Sequence, residues 1–394
     1  MSEIFKLLNN KQVFHLILIS ILVKMFMLFF GSILVKGLFI DMFDLQNYIL
    51  NGVNILNGGT PYISFDYEYA LFSLVPMVIS AYASTYAIIV FQLLMILCDI
   101  ITMLCIYLIV SKLYNKHKAY IASIIYICSL SAIYTVVTRY DALPVCLMMI
   151  SILLFIYKDN ANSYIVSTIG FFTKVFPIVT LPFFIIHNYK TDGLTKLKEC
   201  YLVPILIALV CIVPLYIIGG FKVLKPYLFA TGSTTSSVYA NTFTFTLYSW
   251  LQIFKINIDL SIISFATTAI MIVSIGYILY YIYKLEDFNF KEMIKYICIT
   301  LCILIICTKF HSPQYFMWFT PLMAILVVDK LEKIAVFFIF QLLTIIEFPL
   351  MFGSFYNNVS YIGANGSIPW WISILFFTIE YSILFILMYM IVKD

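Results

Sequence analysis

The sequence gathers its reactive side chains into a few short polar stretches between long apolar runs. Asp41-Met42-Phe43-Asp44-Leu45-Gln46-Asn47-Tyr48 offers two carboxylates three residues apart. Phe65-Asp66-Tyr67-Glu68-Tyr69 is acidic and aromatic, and follows the turn signal Gly58-Gly59-Thr60-Pro61-Tyr62. Thr138-Arg139-Tyr140-Asp141-Ala142-Leu143-Pro144 holds the single arginine of the chain, and Lys309-Phe310-His311-Ser312-Pro313-Gln314-Tyr315-Phe316-Met317-Trp318 combines a lysine, a histidine and aromatics. Carboxylates of this kind can take a proton from a hydroxyl, and arginine, lysine and histidine can hold an anion. Plainer readings compete. Asp44 could cap a helix, Arg139 could pair with Asp141 two residues on, and Lys309 with His311 could be a solvated or snorkelling pair. The tyrosines and tryptophans could be an ordinary interfacial belt. Convergence of both charge signs at one membrane depth favours a functional reading, because charge near hydrocarbon is costly.

Those stretches must be placed by membrane helices. The 394 residues are 63% hydrophobic and 11% charged, against about 25% charged in an ordinary soluble domain. Continuous apolar runs of helix-spanning length recur, whereas a transmembrane barrel would show alternating ten-residue strands. The predicted fold class is all-α: a polytopic membrane protein with about ten transmembrane helices plus re-entrant or interfacial helices, in one integral membrane domain over residues 1–394. Spans are expected at 13–38, 85–111, 119–136, 142–157, 199–219, 258–283, 293–308, 314–328, 334–352 and 369–391. Residues 69–83, short and carrying Pro76, suit an interfacial or re-entrant segment. Residues 161–187, broken by Gly170, Lys174, Pro177 and Pro182, suit a hairpin that dips in and returns. No cleavable leader is expected, since the first apolar run is too long for a signal h-region.

With the N-terminus inside, this arrangement puts fifteen lysines in inside segments. Lys36, Arg139, Lys222, Lys225, Lys255 and Lys309 fall outside, and Lys24 and Lys174 within apolar segments. That is the sense of the positive-inside rule. The polar stretches then open together on the extracytoplasmic or luminal face, with Asp44, Asp141 and His311 expected in one cavity. The net charge of +4 is a loop-lysine excess and implies no nucleic-acid partner. The nine cysteines sit mostly inside apolar segments without a Cys-x-x-Cys pattern and read as small apolar residues. Asn358-Val359-Ser360 and Asn365-Gly366-Ser367 are glycosylation-type triplets close to chance for this composition. Asp99, Lys174, Glu347 and Glu380 stand out within apolar segments as site candidates or local pairs.

Taken together, the stretches resemble the C-type (GT-C) superfamily of membrane glycosyltransferases, which use polyprenyl-phosphate-linked sugars. The likeness is greatest to the mannosyltransferases that include the first mannosyltransferase of GPI-anchor synthesis. Asp44 precedes Pro61 by 17 residues, a spacing similar to the family's, and Tyr67-Glu68-Tyr69 lies where its aromatic pair is expected. Phe91 through Asp99-Ile100-Ile101 resembles the acidic second span. Thr173-Lys174-Val175-Phe176-Pro177 resembles the Lys-x-Tyr-Pro break, and Gln314-Tyr315-Phe316-Met317-Trp318 the Gln-Tyr-Phe-x-Trp motif. The resemblance covers about residues 40–320. It departs where Asp-x-x-Asp replaces Asp-x-Asp and where Ala70-Leu71 replaces a small residue and proline.

The resemblance implies transfer of a sugar, mannose by preference, from a polyprenyl (dolichyl) phosphate to a glycan or lipid-linked acceptor, with inversion. Such a transfer needs one positioned carboxylate as base and no acid, since the leaving phosphate is already ionised. Asp44 is the expected base, with Asp41 the alternative. Arg139, Lys309, His311 and Lys174 are the expected cations for the donor phosphate. Asp141, Glu68, Tyr69, Gln314, Tyr315 and Trp318 are the expected substrate contacts. No cofactor is expected, and two carboxylates alone do not specify a divalent cation, although the aspartate pair could hold one. An accessory subunit is a feature of some family members, and membrane lipids receive the donor's tail. No Rossmann fingerprint or P-loop points to a nucleotide-sugar donor. The rival reading, a lipid or lipid-linked-oligosaccharide flippase, predicts related halves and a midplane site. An oligosaccharide polymerase or ligase predicts a long arginine-rich outer loop, and this chain has one arginine.

Overall fold

The computed structural model describes residues 10–30, 42–228, 238–351 and 369–393. Asp41 and the two glycosylation-type triplets lie outside the described residues. The chain is an all-α membrane protein, and it divides into two compact units, Met1–Ala230 and Thr231–Asp394.

The first unit runs α1 (Lys11–Phe29), α2 (Met42–Leu56), α3 (Leu74–Ala81), α4 (Ala87–Leu113), α5 (Lys116–Ile127), α6 (Leu130–Thr138), α7 (Ala142–Ile156), α8 (Asn160–Phe171) and α9 (Thr180–Gly219). Polar side chains set the helix starts. Asn10 accepts from the Gln12 amide at 3.1 Å and Asn115 from the Lys118 amide at 2.9 Å. The Gly58-Gly59 signal ends α2 in a Schellman turn: Gly59 N donates to Asn54 O, Gly58 N to Ile55 O, and Gly58 has φ +83°. Leu45, Tyr48 and Gly52 form the buried face of α2. At Gly52 a Cβ would lie 2.3 Å from the Met77 carbonyl oxygen, so the absence of a side chain lets α2 approach α3.

The segment expected to fold back does so. Ser167 meets Thr180 at 2.7 Å, and Asn160 meets Asn188 at 3.3 Å, so α8 and the start of α9 run antiparallel. Gly170 lies against Pro177 at the bend, where a Cβ would come within 2.9 Å of the proline ring. The Thr173 and Lys174 amides both donate to the Gly170 carbonyl. Helix α9 then kinks at Gly193, φ +72°.

Inside the bundle, Lys24 of α1 pairs with Asp99 of α4 at 2.8 Å, both fully buried. Tyr126 of α5 donates to the other Asp99 oxygen at 2.7 Å. Asp99 and Lys24 are thus structural partners tying three helices. Two charges in lipid-embedded protein persist only when matched in this way.

The second unit runs α10 (Phe243–Ile253), α11 (Leu260–Lys284), α12 (Phe290–Cys307), α13 (Thr320–Val327), α14 (Leu331–Ile345) and α15 (Trp370–Val392). Thr242, Asp259 and Asn289 cap the first three.

Among the described residues, six helices are long and apolar enough to cross a membrane: Lys11–Phe29, Ser84–Leu113, Tyr201–Tyr227, Leu260–Lys284, Leu331–Leu350 and Trp370–Val392. A seventh span follows if α5 and α6, bent by 58°, are taken together. The expected count of ten is therefore not reached among the described residues, for local reasons. Residues 314–328 are a 3-10 turn, Pro313–Trp318, and then the eight-residue α13, because Pro313 and Pro321 interrupt the run. Helix α7 has only 15 residues, and α12 carries Lys291, Glu292 and Lys295 in its first turns. Tyr201–Tyr227 and Leu260–Lys284 bury little of themselves in the protein, and their apolar sides face lipid.

Candidate active site

In the first unit, three breaks in the helical order converge. Asp44 lies in the first turn of α2, where the helix dipole favours a negative charge. Arg139 ends α6 in extended conformation, its amide donating to Thr135 O at 2.8 Å. Asp141 precedes α7 but caps nothing with its side chain, which leaves the carboxylate available to another element. Lys174 stands at the bend of the hairpin.

These four form two cation–carboxylate pairs. Arg139 Nε lies 3.0 Å from Asp44 Oδ2, and Lys174 Nζ lies 2.7 Å from Asp141 Oδ1. Each of the two residues Arg139 and Asp141 thus reaches a partner distant in the chain. Asp141 is fully buried, whereas Asp44 is 26% exposed and keeps an open edge. Arg139 Nη1 also donates to Thr138 O at 3.1 Å, which fixes the guanidinium plane.

Between the pairs sits an aromatic cluster in which Tyr69, an expected substrate contact, is joined by Tyr48 and Tyr140, to which the sequence assigned no role. Tyr48, Tyr69 and Tyr140 meet edge-on, with ring centroids 5.3–5.6 Å apart. Lys174 Nζ lies 4.8 Å from the Tyr140 ring centre. The available signal was spacing: Tyr48 is one helical turn beyond Asp44, and Tyr140 separates Arg139 from Asp141. Burial pushes all three phenols above their ordinary range, and neighbouring tyrosines and carboxylates push the same way. They remain protonated hydroxyls, able to donate hydrogen bonds. Tyr69 is held by its backbone, whose carbonyl accepts from Tyr62 Oη at 2.6 Å. Glu68 is exposed and its charge acts on Tyr69. Phe72 N donates to Phe172 O at 2.6 Å, tying the Tyr69 segment to the hairpin that carries Lys174.

Lys174 feels opposed influences. Burial lowers its pKa, the larger effect, and the Asp141 carboxylate raises it; the outcome is below the ordinary lysine value. The Asp44–Arg139 and Asp141–Lys174 pairs balance in charge, so an entering anion must compete with a carboxylate for its cation.

The second unit holds the other predicted residues. The Lys309 carbonyl accepts from Tyr239 N at 2.9 Å, which anchors the loop after α12. Tyr315 stacks on Trp318 with centroids 4.1 Å apart, and Ser312 donates to Gln314 Oε1. His311 is buried against Phe316 (4.6 Å) and Tyr315 (5.9 Å), and neither ring nitrogen has a hydrogen-bond partner among the described residues. Burial pushes its pKa down to about 3. The expected positive charge on His311 is thus not present at neutral pH; the ring offers one donor and one acceptor instead.

Among the described residues no group of three or more His, Cys, Asp or Glu side chains is arranged to hold a metal. Asp44 stands with an arginine, and its possible partner Asp41 is outside the described residues.

Comparison with known proteins bears on the matrix of this site. No curated protein matches the chain. Residues 74–218 match the family model described as dolichyl-phosphate-mannose-protein mannosyltransferase. The match contains Arg139, Asp141 and Lys174, and it runs from α3 into α9. Over these residues the chain is similar to that mannosyltransferase family, and the motif order and the all-α membrane architecture accord with the likeness.

Proposed function

We propose that the protein moves mannose from a polyprenyl-phosphate donor to a hydroxyl of a glycan or lipid-linked acceptor, with inversion, on the extracytoplasmic or luminal side. The observation that carries this reading is the pairing of partly exposed Asp44 with Arg139 beside the buried Asp141–Lys174 pair. The donor phosphate competes for Arg139 or Lys174 and loosens a carboxylate from its cation. Arg139 suits this through its fork of donors. Asp44, relieved of its partner, becomes the stronger base. The acceptor oxygen attacks the anomeric carbon, its proton passes to Asp44, and the carbon–oxygen bond to phosphate breaks with its electron pair going to polyprenyl phosphate. Asp41 is the alternative base. Tyr69 and Glu68 contact the sugar, with the phenol donating.

Lys309, His311, Gln314, Tyr315 and Trp318 are proposed as further contacts to phosphate or sugar. In that role His311 supplies a hydrogen bond rather than a charge. The aromatic stack of Tyr315 and Trp318 suits a sugar face or a prenyl chain.

The test is purified protein in lipid, given polyprenyl-phosphate mannose and a panel of glycan and lipid acceptors. Release of polyprenyl phosphate with mannose on one acceptor supports the reading. Movement of lipid between leaflets without any transfer would replace it with the flippase alternative.

A further inference from the structure

Two acidic residues of the second unit are used nowhere in this chemistry. Glu347 sits in the π-helical turn Ile346–Leu350 that continues α14, and Glu380 sits midway along α15. Both side chains are buried, with 0% and 1% exposure, and the Glu347 charge is felt at Glu380. Asn241, 1% exposed, precedes the Thr242 cap of α10. Its Nδ2 donates to Glu347 Oε1 at 2.8 Å, and its carbonyl accepts from Tyr381 Oη at 2.8 Å.

Among the described residues the donor supply ends there. Glu347 Oε2, Glu380 Oε1 and Asn241 Oδ1 are buried acceptors without a partner among the described residues. The Asn241 oxygen is the independent signal: it belongs to no acid, yet it is buried beside Glu347 with no donor to accept from among the described residues. Neither glutamate has an ion pair among the described residues, and the sequences 229–237 and 352–368 contain no lysine, arginine or histidine. Two carboxylates in a lipid-embedded bundle cannot both stay charged without a counter-charge.

We propose that Glu347, Glu380 and Asn241 hold one hard divalent cation. Two carboxylates balance its charge, and three oxygen ligands without nitrogen or sulfur select Ca²⁺, Mg²⁺ or Mn²⁺ over softer ions. Water completes the coordination. The ion ties the end of α14 and the middle of α15 to the start of α10, in elements outside residues 74–218.

The experiment uses full-length protein in lipid nanodiscs, stripped with chelator and titrated with Mn²⁺ by electron paramagnetic resonance. The expected result is one bound Mn²⁺ per chain, displaced by Ca²⁺ or Mg²⁺, with a higher thermal midpoint when loaded. Glu380→Gln and Asn241→Ala should each weaken binding by more than about tenfold, and Asp44→Asn should leave it intact. Should Glu380→Gln fail to fold, Asn241→Ala carries the comparison. No bound Mn²⁺, or binding unchanged in Asn241→Ala, or binding lost in Asp44→Asn, would overturn the site. A stripped protein as stable as the loaded one, with Glu380→Gln equally stable, would show that protons hold the pair.

Discussion

Arg139 Nε lies 3.0 Å from Asp44 Oδ2, so the chain's single arginine is committed to the residue assigned as base. The pair joins the first turn of α2 to the end of α6. Its strength depends on fork geometry as well as charge. Arg139→Lys keeps the charge and loses the planar fork. It should raise the donor KM and lower turnover by about tenfold or more, with the thermal midpoint little changed. Kinetics indistinguishable from wild type would show that the guanidinium does not meet substrate.

The Lys174–Asp141 pair gives a pH signature with opposite signs in two measurements. The folded-state pKa of Lys174 lies below that of a free lysine, about 10.4. Between the two values the unfolded chain holds the proton and the folded chain does not, so stability rises with pH across that window. Activity that needs the Lys174 charge falls as pH rises through the folded pKa, the lower edge of that window. Asp141→Asn removes the group that supports the charge, and should move the alkaline fall in activity to lower pH. An unmoved alkaline limb would remove Lys174 from the chemistry.

His311 governs the acid side. Its folded pKa is about 3, against about 6.5 unfolded. As pH falls from 6.5 toward 3 the unfolded chain takes up a proton that the folded chain refuses, so stability is progressively lost. His311→Gln should flatten this part of the stability profile by thermal unfolding. An unchanged acid limb would show that His311 is not the buried neutral group described.

Lys24 and Asp99 test the packing of the first unit. Lys24→Met strands a buried carboxylate and should cost about 3–5 kcal/mol. Lys24→Met combined with Asp99→Leu should recover most of that loss, as a double-mutant cycle in lipid would read. Additive losses would contradict a direct pair.

Gly52→Ala tests how α2 is held. The new Cβ would lie 2.3 Å from Met77 O, so α2 must shift, at a cost of about 1–3 kcal/mol. Because Asp44 rides on α2, activity should fall with stability. A neutral substitution would mean that α2 does not pack on α3 through this face.

How far these residues could be read in advance depended on their range in sequence. The Gly58-Gly59 turn and the bend at Lys174 were legible because glycine and proline act locally. The all-α membrane class followed from run length alone. Pairing was not legible: Arg139 reaches Asp44 and Asp141 reaches Lys174, partners that lie far away in the sequence. Lys24 and Asp99 were visible as charges in apolar runs, and only packing made them partners. Apolar counting gave ten spans, against six or seven helices long and apolar enough to cross among the described residues. It cannot distinguish a short buried helix such as α7 from a crossing one, nor weigh Pro313 and Pro321 against the hydropathy of 314–328. The charge of His311 was misjudged because sequence shows the residue and not the aromatic side chains that desolvate it.

The most direct measurement is single-turnover transfer from polyprenyl-phosphate mannose by Asp44→Asn protein in lipid, compared with wild type at equal thermal stability. If Asp44 is the base, the transfer step should slow by about 10²–10⁴-fold, with donor still bound. Transfer within a few-fold of wild type, in Asp44→Asn and in Asp41→Asn alike, would contradict the account.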